Sequence, residues 1–564
     1  MGYGLAQTLD MICGSIFMPM SRIFLSILLI FVAVNSFSAT YYVKNGGDNT
    51  KSGTSAANAW AYAPGMCGCS DTCGSTTLQA GDTVYFDHDS TWSLPGYQTN
   101  PGDCGTQSGY GVLWIPASGT EGNLITFDGT TWGTGVAKTR ATITATAEAT
   151  AHIFIAGSYI TVTGFDVNGN ADADTGGIYV LGNKAPIVGS QSNVAIDNCI
   201  IHDIGETDQF IYGILIGPQG SYTLSNVTVT NTTVYNTAHE GIAIYPSWNE
   251  AGSHPINDTI LIRNCIIYNT GIKDLDRVFG EGIAVSNDSR NVTLEYNTIS
   301  NAFYGIELRA GDHDMTWAPT NVIVRYNIIH GSVLGGIVTQ ITYGSTVGDM
   351  TASFYGNLIY SNGQSEYQNS CFDIDIDGAA YGTSVLNFYN NTIYTTHECT
   401  TQRGVITGMS MNITGTPTFN FKNNLLYYSG TCAYPNVPLY ETYKKMTASN
   451  NLIYCTAGTT LAYIENTATA YTAANITDYD PYPQTNNPLF ISTSNFHLQS
   501  TSPAINAGAN LCATLITATD YDGNPVCSGG LFVGPGTAPE IGAYEYLYRG
   551  LNSGGFLSGG HGSF

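Results

Sequence analysis

Acidic side chains stand beside glycines in two consecutive copies of a repeated segment. Glu240 precedes Gly241 and Glu281 precedes Gly282, and each glycine opens a Gly-Ile-Ala strand. If consecutive copies stack as parallel strands, the two backbones lie about 4.8 Å apart. When two carboxyls lie that close, the pKa of one of them rises or the two share a cation. A carboxyl with a raised pKa beside one with an ordinary pKa suits glycoside hydrolysis. We therefore predict that Glu240 and Glu281 are catalytic; the alternative is two glutamates that face solvent at a turn.

Basic side chains in the same region leave a second reaction open. His239 precedes Glu240, and Lys273 and Arg277 lie shortly before Glu281. A polysaccharide lyase needs a base to remove the proton beside a uronate carboxyl, and a cation to acidify that proton. His239 therefore joins the candidate catalytic residues, and both hydrolysis and β-elimination stay open.

A charged pair follows the glycine of another copy. In the strand that begins Gly305-Ile-Glu-Leu-Arg, Glu307 and Arg309 are the two outward residues, and they are followed by the polar and aromatic stretch at residues 311–317. Only 10% of the chain is charged, so this concentration indicates a catalytic or sugar-binding site. The alternative is an exposed ion pair, which contributes little to stability.

Three aspartates alternate with apolar residues in Asp373-Ile-Asp375-Ile-Asp377-Gly. The spacing matches the opening of a calcium-binding loop, but Ser384 stands where such a loop carries its last acidic ligand. On a strand the three carboxylates share one outer face at steps of about 6.5–7 Å, too far apart for all three to bind one ion. Two of them with a ligand from a neighbouring coil could bind calcium; the alternative is a hydrated acidic strip.

These candidates belong to a repeat sequence in which a short motif recurs every 27 to 34 residues. Examples of the motif are Asn-Cys-Ile-Ile-His at residues 198–202 and Asn-Cys-Ile-Ile-Tyr at residues 264–268. Such a period is typical of a solenoid, in which each turn is covered by its neighbours. A stacked asparagine can donate to one neighbour in the column and accept from the other. The column contains Cys199, Thr232, Cys265, Asn297, Asn327, Asn357, Asn391, Asn424 and Asn451.

The units predict strands. Apolar and polar residues alternate around the column, and Val, Ile, Thr and Tyr dominate. The sequence therefore predicts an all-β fold, a single-stranded right-handed parallel β-helix with N- and C-terminal caps. Cys199 and Cys265 are expected to be small core residues. A column of outward aromatic rings follows the inward isoleucines and is either a structural ladder or a platform for sugars. It contains His202, Tyr235, Tyr268, His330, Tyr360, Tyr394, Tyr427 and Tyr454.

Charge and hydrophobic content narrow the partners and the compartment. The formal net charge of −25 disfavours nucleic acid and anionic membranes as partners. Residues 21–34 resemble a secretory signal, because Arg22 is followed by a short apolar run and cleavage is expected near Ala39. The apolar run is too short to span a membrane. Export favours disulfides over a zinc site at Cys67, Cys69, Cys73 and Cys104. Proximity in sequence suggests the pairs Cys371/Cys399, Cys432/Cys455 and Cys512/Cys527.

Both ends of the mature chain resemble secreted right-handed β-helix proteins of the pectate-lyase-like superfamily. The resemblance lies in Tyr-Tyr-Val-Lys-Asn-Gly-Gly-Asp at residues 41–48, in Ala-Gly-Asp-Thr-Val-Tyr-Phe at 80–86 and in Glu-Ile-Gly-Ala-Tyr-Glu at 540–545. It implies fold and export but no catalytic residue, because the catalytic patterns of polygalacturonases and mannuronan epimerases are missing. The expected organisation is a leader at 1–38, a cap with the first coils at 39–128, the β-helix at 129–487, a closing segment at 488–547 and a Gly-rich tail at 548–564.

Together these features predict a secreted protein that cleaves or binds an extracellular polysaccharide, either as a glycoside hydrolase or as a polysaccharide lyase. The candidate catalytic residues are Glu307, Arg309, Glu240, Glu281 and His239, and Asp373, Asp375 and Asp377 are the candidate calcium ligands. The alternative function is a non-catalytic adhesin or structural fibre. We expect Glu307 to converge with the glutamates at 240 and 281 in one cleft if the protein is an enzyme.

Overall fold

Most of the chain after residue 37 is described by a computed structural model. It covers residues 38–95, 109–146, 149–169, 175–182, 189–205, 211–218, 220–246, 254–271, 280–311, 317–341, 348–363, 372–377, 383–396, 405–409, 417–432, 434, 436–515 and 517–547. The predicted signal segment and the Gly-rich tail therefore lie outside the described residues. No helix within these ranges is long and apolar enough to cross a membrane.

Three long sheets form the solenoid, and from Thr83–Asp87 to Thr460–Ile464 each coil adds one strand to each of them in turn. In the described ranges the first sheet contains, in spatial order, Thr40–Val43, Thr83–Asp87, Ile125–Trp132, Ile160–Thr163, Gln191–Asp197, Thr223–Thr230, Ile256–Arg263, Ser289–Glu295, Val322–Arg325, Thr351–Tyr355, Val385–Tyr389, Thr418–Lys422 and Met446–Ser449. All of these neighbours pair in parallel, as in Val194 with Val227 and Val227 with Ile260.

The second sheet holds Glu307 and Arg309, and His239, Glu240 and Glu281 lie just before two of its strands. Its strands are Gly109–Ile115, Ala149–Ile155, Gly176–Gly182, Ile214–Pro218, Ile242–Ile244, Ile283–Ser286, Tyr304–Ala310, Gly335–Ile341, Phe372–Asp377, Ile406–Met409, Leu439–Glu441, Thr460–Ile464 and Thr469–Thr472. The last of these is antiparallel to its neighbour. That reversal ends the run of parallel coils.

The third sheet lies between the first and the second along each coil. Its described strands are Thr91–Leu94, Ala141–Ala145, Phe165–Asn168, Ile200–Ile204, Thr233–Thr237, Ile266–Thr270, Thr298–Ser300, Ile328–His330, Leu358–Tyr360, Thr392–Thr395, Leu425–Tyr428 and Leu452–Cys455. The prediction of an all-β parallel β-helix is confirmed, and right-handed coiling is the rule for such parallel crossovers.

Short elements complete both ends. An α-helix at Asp71–Ser75 and a 3-10 helix at Ala56–Asn58 lie near the N-terminus, and 3-10 helices at Glu465–Thr467 and Ile476–Asp478 follow the last coils. The closing segment forms two small antiparallel sheets, from the strands Phe490–Ser492, Asn495–Leu498, Thr517–Thr519, Pro525–Ser528 and Leu531–Phe532.

The asparagine column forms one continuous ladder at the corner between the first and third sheets. Asn327 Nδ2 donates to Asn357 Oδ1 at 3.0 Å, and Asn357 Nδ2 donates to Asn391 Oδ1 at 2.9 Å. The ladder ends where Asn451 Nδ2 donates to the carboxylate of Asp480 at 2.8 Å. Each member is buried and also donates to a backbone carbonyl of the preceding coil, as Asn357 does to Val324 at 2.9 Å.

Cysteines behave as the sequence predicts where the structure describes them. Cys199 and Cys265 are free and buried in the core. Disulfides join Cys69 to Cys73, Cys432 to Cys455 and Cys512 to Cys527, and Cys67 is also disulfide-bonded. Two of the three expected staples are thereby confirmed. The proposed pair Cys371/Cys399 and the cysteine at 104 lie outside the described residues.

The aromatic column on the third sheet is a structural ladder. The rings of Tyr235 and Tyr268 are 4.9 Å apart with 2° between their planes, and His202 continues the stack above Tyr235. Because the rings stack along the solenoid axis, their faces contact one another and mainly their edges point outwards. Towards the C-terminal end, Phe496 of the closing segment packs on Tyr360 and Tyr394. These contacts argue against the sugar-platform alternative for this column.

Candidate catalytic site

Glu307 and Arg309 occupy adjacent outward places on the second sheet. In register, Glu307 stands between Ala284 and Val338 of the neighbouring coils. Arg309 stands between Ser286 and Gln340 in the same two coils. The local reason is the alternation of the strand Tyr304–Ala310, in which Ile306 and Leu308 enter the core and the intervening residues point away from it.

The guanidinium of Arg309 joins two carboxyls that come from adjacent coils. Its Nη2 donates to Glu281 Oε1 at 3.3 Å and also contacts Glu307 Oε2. Gln340, from the next coil, donates through Nε2 to the other oxygen of Glu307. Because one nitrogen contacts both carboxyls, the bonded oxygens of Glu281 and Glu307 are at most two hydrogen-bond lengths apart, about 6 Å.

This cluster is enclosed. Glu281 and Glu307 have no exposed surface, and Arg309 is 6% exposed. The interpretation of Glu307 and Arg309 as an exposed ion pair is therefore wrong, as is that of Glu281 as a solvent-facing turn residue. A buried pair differs from a surface pair because desolvation of the charges is costly and must be offset by close contacts.

Charge balance distinguishes the two carboxyls. One guanidinium can neutralise one carboxylate, so a second buried carboxylate beside it is driven to hold a proton. Burial raises the pKa of Glu307 to about 8, although Arg309 lowers it and Glu281 raises it again. Glu307 can therefore keep a proton at neutral pH and donate it, which a carboxyl in water cannot do.

Glu240 and His239 form a separate pair one coil earlier. The backbones of Glu240 and Glu281 are stacked as predicted, because Gly213 N–H donates to Glu240 O at 3.1 Å and Gly241 N–H donates to Glu281 O at 2.9 Å. Their carboxyls point to different partners, however. Glu240 Oε2 contacts His239 Nδ1, whereas Glu281 contacts Arg309. Both members of the earlier pair are buried, so Glu240 does not face solvent either.

Tyr304 is a member of the site that the sequence reasoning missed. Gly282 N–H donates to Tyr304 O at 2.8 Å, so Tyr304 follows Glu281 in the same column. Burial raises the pKa of its hydroxyl far above the usual range, and the charges of Glu307, Asp375 and Glu281 raise it further. The signal was present in the sequence, because Tyr304 precedes Gly305 as Glu240 precedes Gly241.

Asp373 does not take the outward face that strand alternation predicts for the aspartates of the candidate calcium site. Asp373 is buried and accepts a hydrogen bond from Asn362 Nδ2 at 2.8 Å and another from the Thr395 hydroxyl. The expectation fails for Asp373 because this residue, the second of the strand Phe372–Asp377, lies at the corner of the coil, where its side chain points inwards to Asn362 and Thr395. Asp375 takes the outward place next to Val338, and the side chain of Asp377 lies outside the described part.

Within the ranges that the structure covers, no three His, Cys, Asp or Glu side chains are arranged to hold a metal ion. Calcium binding by Asp373, Asp375 and Asp377 stays a prediction. Lys273, Arg277 and most of the stretch at 311–317 lie outside the described residues, apart from the glycine at its start and Trp317 at its end.

Comparisons with known proteins give distant similarities of fold. Pectate lyase Pel9A is 14% identical with a TM-score of 0.49, over 90% of this chain and 97% of that one. The A-module of the mannuronan C-5 epimerase AlgE6 from Azotobacter vinelandii is 12% identical with a TM-score of 0.46, over 72% and 92%. The GH136 lacto-N-biosidase from Eubacterium ramulus is 13% identical with a TM-score of 0.45, over 71% and 67%. No family model and no curated protein sequence matches the chain.

Proposed function

We propose that this protein is an extracellular glycoside hydrolase that acts on a polysaccharide, with Glu307 as general acid and Glu281 as nucleophile. The single observation that carries this proposal is that Arg309 Nη2 contacts carboxyls from two adjacent coils, one of which has a raised pKa. A protonated carboxyl and a second carboxyl within about 6 Å suit a retaining mechanism, for which the usual separation is about 5–5.5 Å.

In this mechanism Glu307 gives its proton to the glycosidic oxygen as the bond from that oxygen to the anomeric carbon breaks. Glu281 attacks the anomeric carbon and forms an ester, and the leaving sugar departs as an alcohol. Water then attacks the same carbon, the Glu307 carboxylate takes the proton of that water, and Glu281 is released. Arg309 and Gln340 hold the carboxyls at their separation, and Tyr304 lies near them in the column of Glu281.

The complete burial of Glu281 and Glu307 favours a second candidate, a non-catalytic glycan-binding protein in which the cluster only stabilises the coils. For the hydrolase, substrate binding has to uncover both carboxyls. The two candidates therefore differ in what they predict for substitutions that keep the shape of the side chain and remove its charge. The hydrolase loses cleavage of the polysaccharide, whereas the glycan-binding protein has no cleavage to lose.

The test uses the full chain with a panel of neutral and uronate-containing polysaccharides, with and without calcium. We expect new reducing ends from the wild type, none from Glu307→Gln or Glu281→Gln, and an unchanged rate from Glu465→Gln, whose side chain is exposed. Product absorbance at 235 nm would indicate β-elimination and refute the hydrolytic mechanism. Binding without cleavage would favour the non-catalytic candidate.

A further inference from the structure

Trp317 is held in a fixed orientation by a chain of contacts beside the candidate site. Its ring lies parallel to that of His254, with 3.8 Å between centroids and 5° between planes. His254 Nε2 contacts Asp288 Oδ2, and Arg290 donates to the two oxygens of Asp288 at 2.5 and 2.7 Å. The Asp288 side chain is only 4% exposed, so the support under the indole ring is buried at its base.

This support begins where the strand next to Arg309 ends. Asn287 N–H donates to the carbonyl of Arg309 at 2.9 Å, and the next residue is Asp288. Ser286, which precedes Asn287, is the register partner of Arg309. The His254–Asp288–Arg290 group therefore lies at the edge of the second sheet, directly beyond the register partners Ser286 and Arg309.

Among the described residues, the Trp317 ring has a ring partner on one face only. Trp317 is only partly buried, and His254 covers one of its faces as its only ring partner among the described residues. The Arg290 side chain is 42% exposed, and its guanidinium is anchored on Asp288, which also contacts His254. A flat apolar face next to an anchored cation and a half-exposed imidazole matches a pyranose, whose C–H face stacks on aromatic rings and whose oxygens accept hydrogen bonds.

We propose that Trp317, supported by His254, Asp288 and Arg290, is a sugar-binding subsite that holds one ring of an extended glycan next to the Glu307–Arg309 row. The inference rests on the proposed function in taking a glycan as the ligand, but it does not require cleavage. Trp317 binds the sugar face, and Asp288 is a positioning residue that acts through His254.

The test measures binding of the panel polysaccharides in a Glu307→Gln background, by affinity electrophoresis and calorimetry, so that cleavage plays no part. We expect Trp317→Ala to weaken binding about tenfold, as loss of one aromatic contact does, and Trp317→Phe to retain most of the affinity. The matched control is Tyr482→Ala, because Tyr482 is a 66% exposed ring in another part of the protein. Thermal unfolding of each variant checks that the fold is kept.

The outcomes separate this inference from the proposed function. Cleavage or binding by the wild type together with unchanged affinity of Trp317→Ala overturns the subsite and leaves the hydrolase in place. Equal losses for Trp317→Ala and Tyr482→Ala also overturn it. Binding that depends on Trp317 without any cleavage supports the subsite and refutes the hydrolase. Failure of the parent protein to bind any polymer of the panel counts against both.

Discussion

Substitution of Arg309 by Met removes the one described cation that contacts Glu281 and Glu307. The variant keeps most of the side-chain volume but leaves two enclosed carboxyls without their counter-charge. Breaking a buried ion pair by removal of one partner costs about 3–5 kcal/mol. We therefore expect the free energy of local opening to fall by about 3–5 kcal/mol at neutral pH in the coils that contain Ile283–Ser286 and Tyr304–Ala310.

The sign of the pH dependence follows from the raised pKa. A folded-state pKa of about 8 for Glu307, above its unfolded value near 4.5, means that the folded form binds the extra proton between these limits. The stabilising contribution is complete below the unfolded value and is lost as the pH rises through the folded one. Loss of Arg309 raises the folded pKa of Glu307 further, so the stability difference between wild type and Arg309→Met should widen from about pH 4 to about pH 9.

Hydrogen exchange with mass spectrometry measures the effect locally, which suits a repeat protein in which unfolding is not all-or-none. The expected change is roughly 150- to 5,000-fold faster exchange of the amides in the two strands at pH 7. Adding Glu281→Gln and Glu307→Gln to Arg309→Met should restore slow exchange, because no charge then remains buried. Arg263→Met is the control, since Arg263 is 46% exposed and its partner Glu295 keeps Arg325. Equal exchange in Arg309→Met and wild type, or a loss that does not depend on pH, would refute the charge argument.

Two further predictions concern the ladder and the closing segment. Asn357→Ala removes two hydrogen bonds donated by the side chain and leaves the buried backbone N–H of Asn327 without its acceptor. We therefore expect the free energy of unfolding to fall by about 3–6 kcal/mol, measured as a large drop in the thermal midpoint. The control Asn123→Ala, at an exposed position, should not show this drop. Burial next to Glu540 raises the pKa of Glu545 to about 10, and residues 488–547 contain no Lys or Arg that could neutralise the carboxylate. The closing segment should therefore lose stability as the pH rises from about 4.5 to about 10. Glu545→Gln should flatten this slope in thermal unfolding between pH 5 and pH 9; the same slope in both proteins would contradict the prediction.

Much of the architecture could be predicted because a solenoid translates sequence period directly into space. The spacing of Asn327, Asn357 and Asn391 places them in one file, since equal steps along the chain return to the same corner of the coil. Each ladder member also follows a residue in the left-handed region, such as Asn390 with φ of 52°, which asparagine adopts at low cost. The outward places of Glu307 and Arg309 followed from strand alternation alone.

The candidate site was predicted only in part. Stacking of the backbones of Glu240 and Glu281 was correct, but side-chain direction decided that Glu281 meets Glu307 while Glu240 meets His239. Glu281 and Glu307 occupy different columns, and the period of the repeat contains no information about contacts between columns. Asp373 shows the same limit, because alternation along a strand does not reveal where the corner of the coil begins.

The sequence by itself determined the coils, the ladder, the disulfide pairs near each other along the chain and the set of residues able to do chemistry, because all of these depend on local spacing. Only the tertiary structure decided which carboxyls share Arg309, that they are enclosed, and that the closing segment covers the C-terminal part of the aromatic column. Burial and pairing arise from atoms brought together across coils and from distant segments. The raised pKa of Glu307 is therefore a property of the folded protein, and no local pattern in the sequence encodes it.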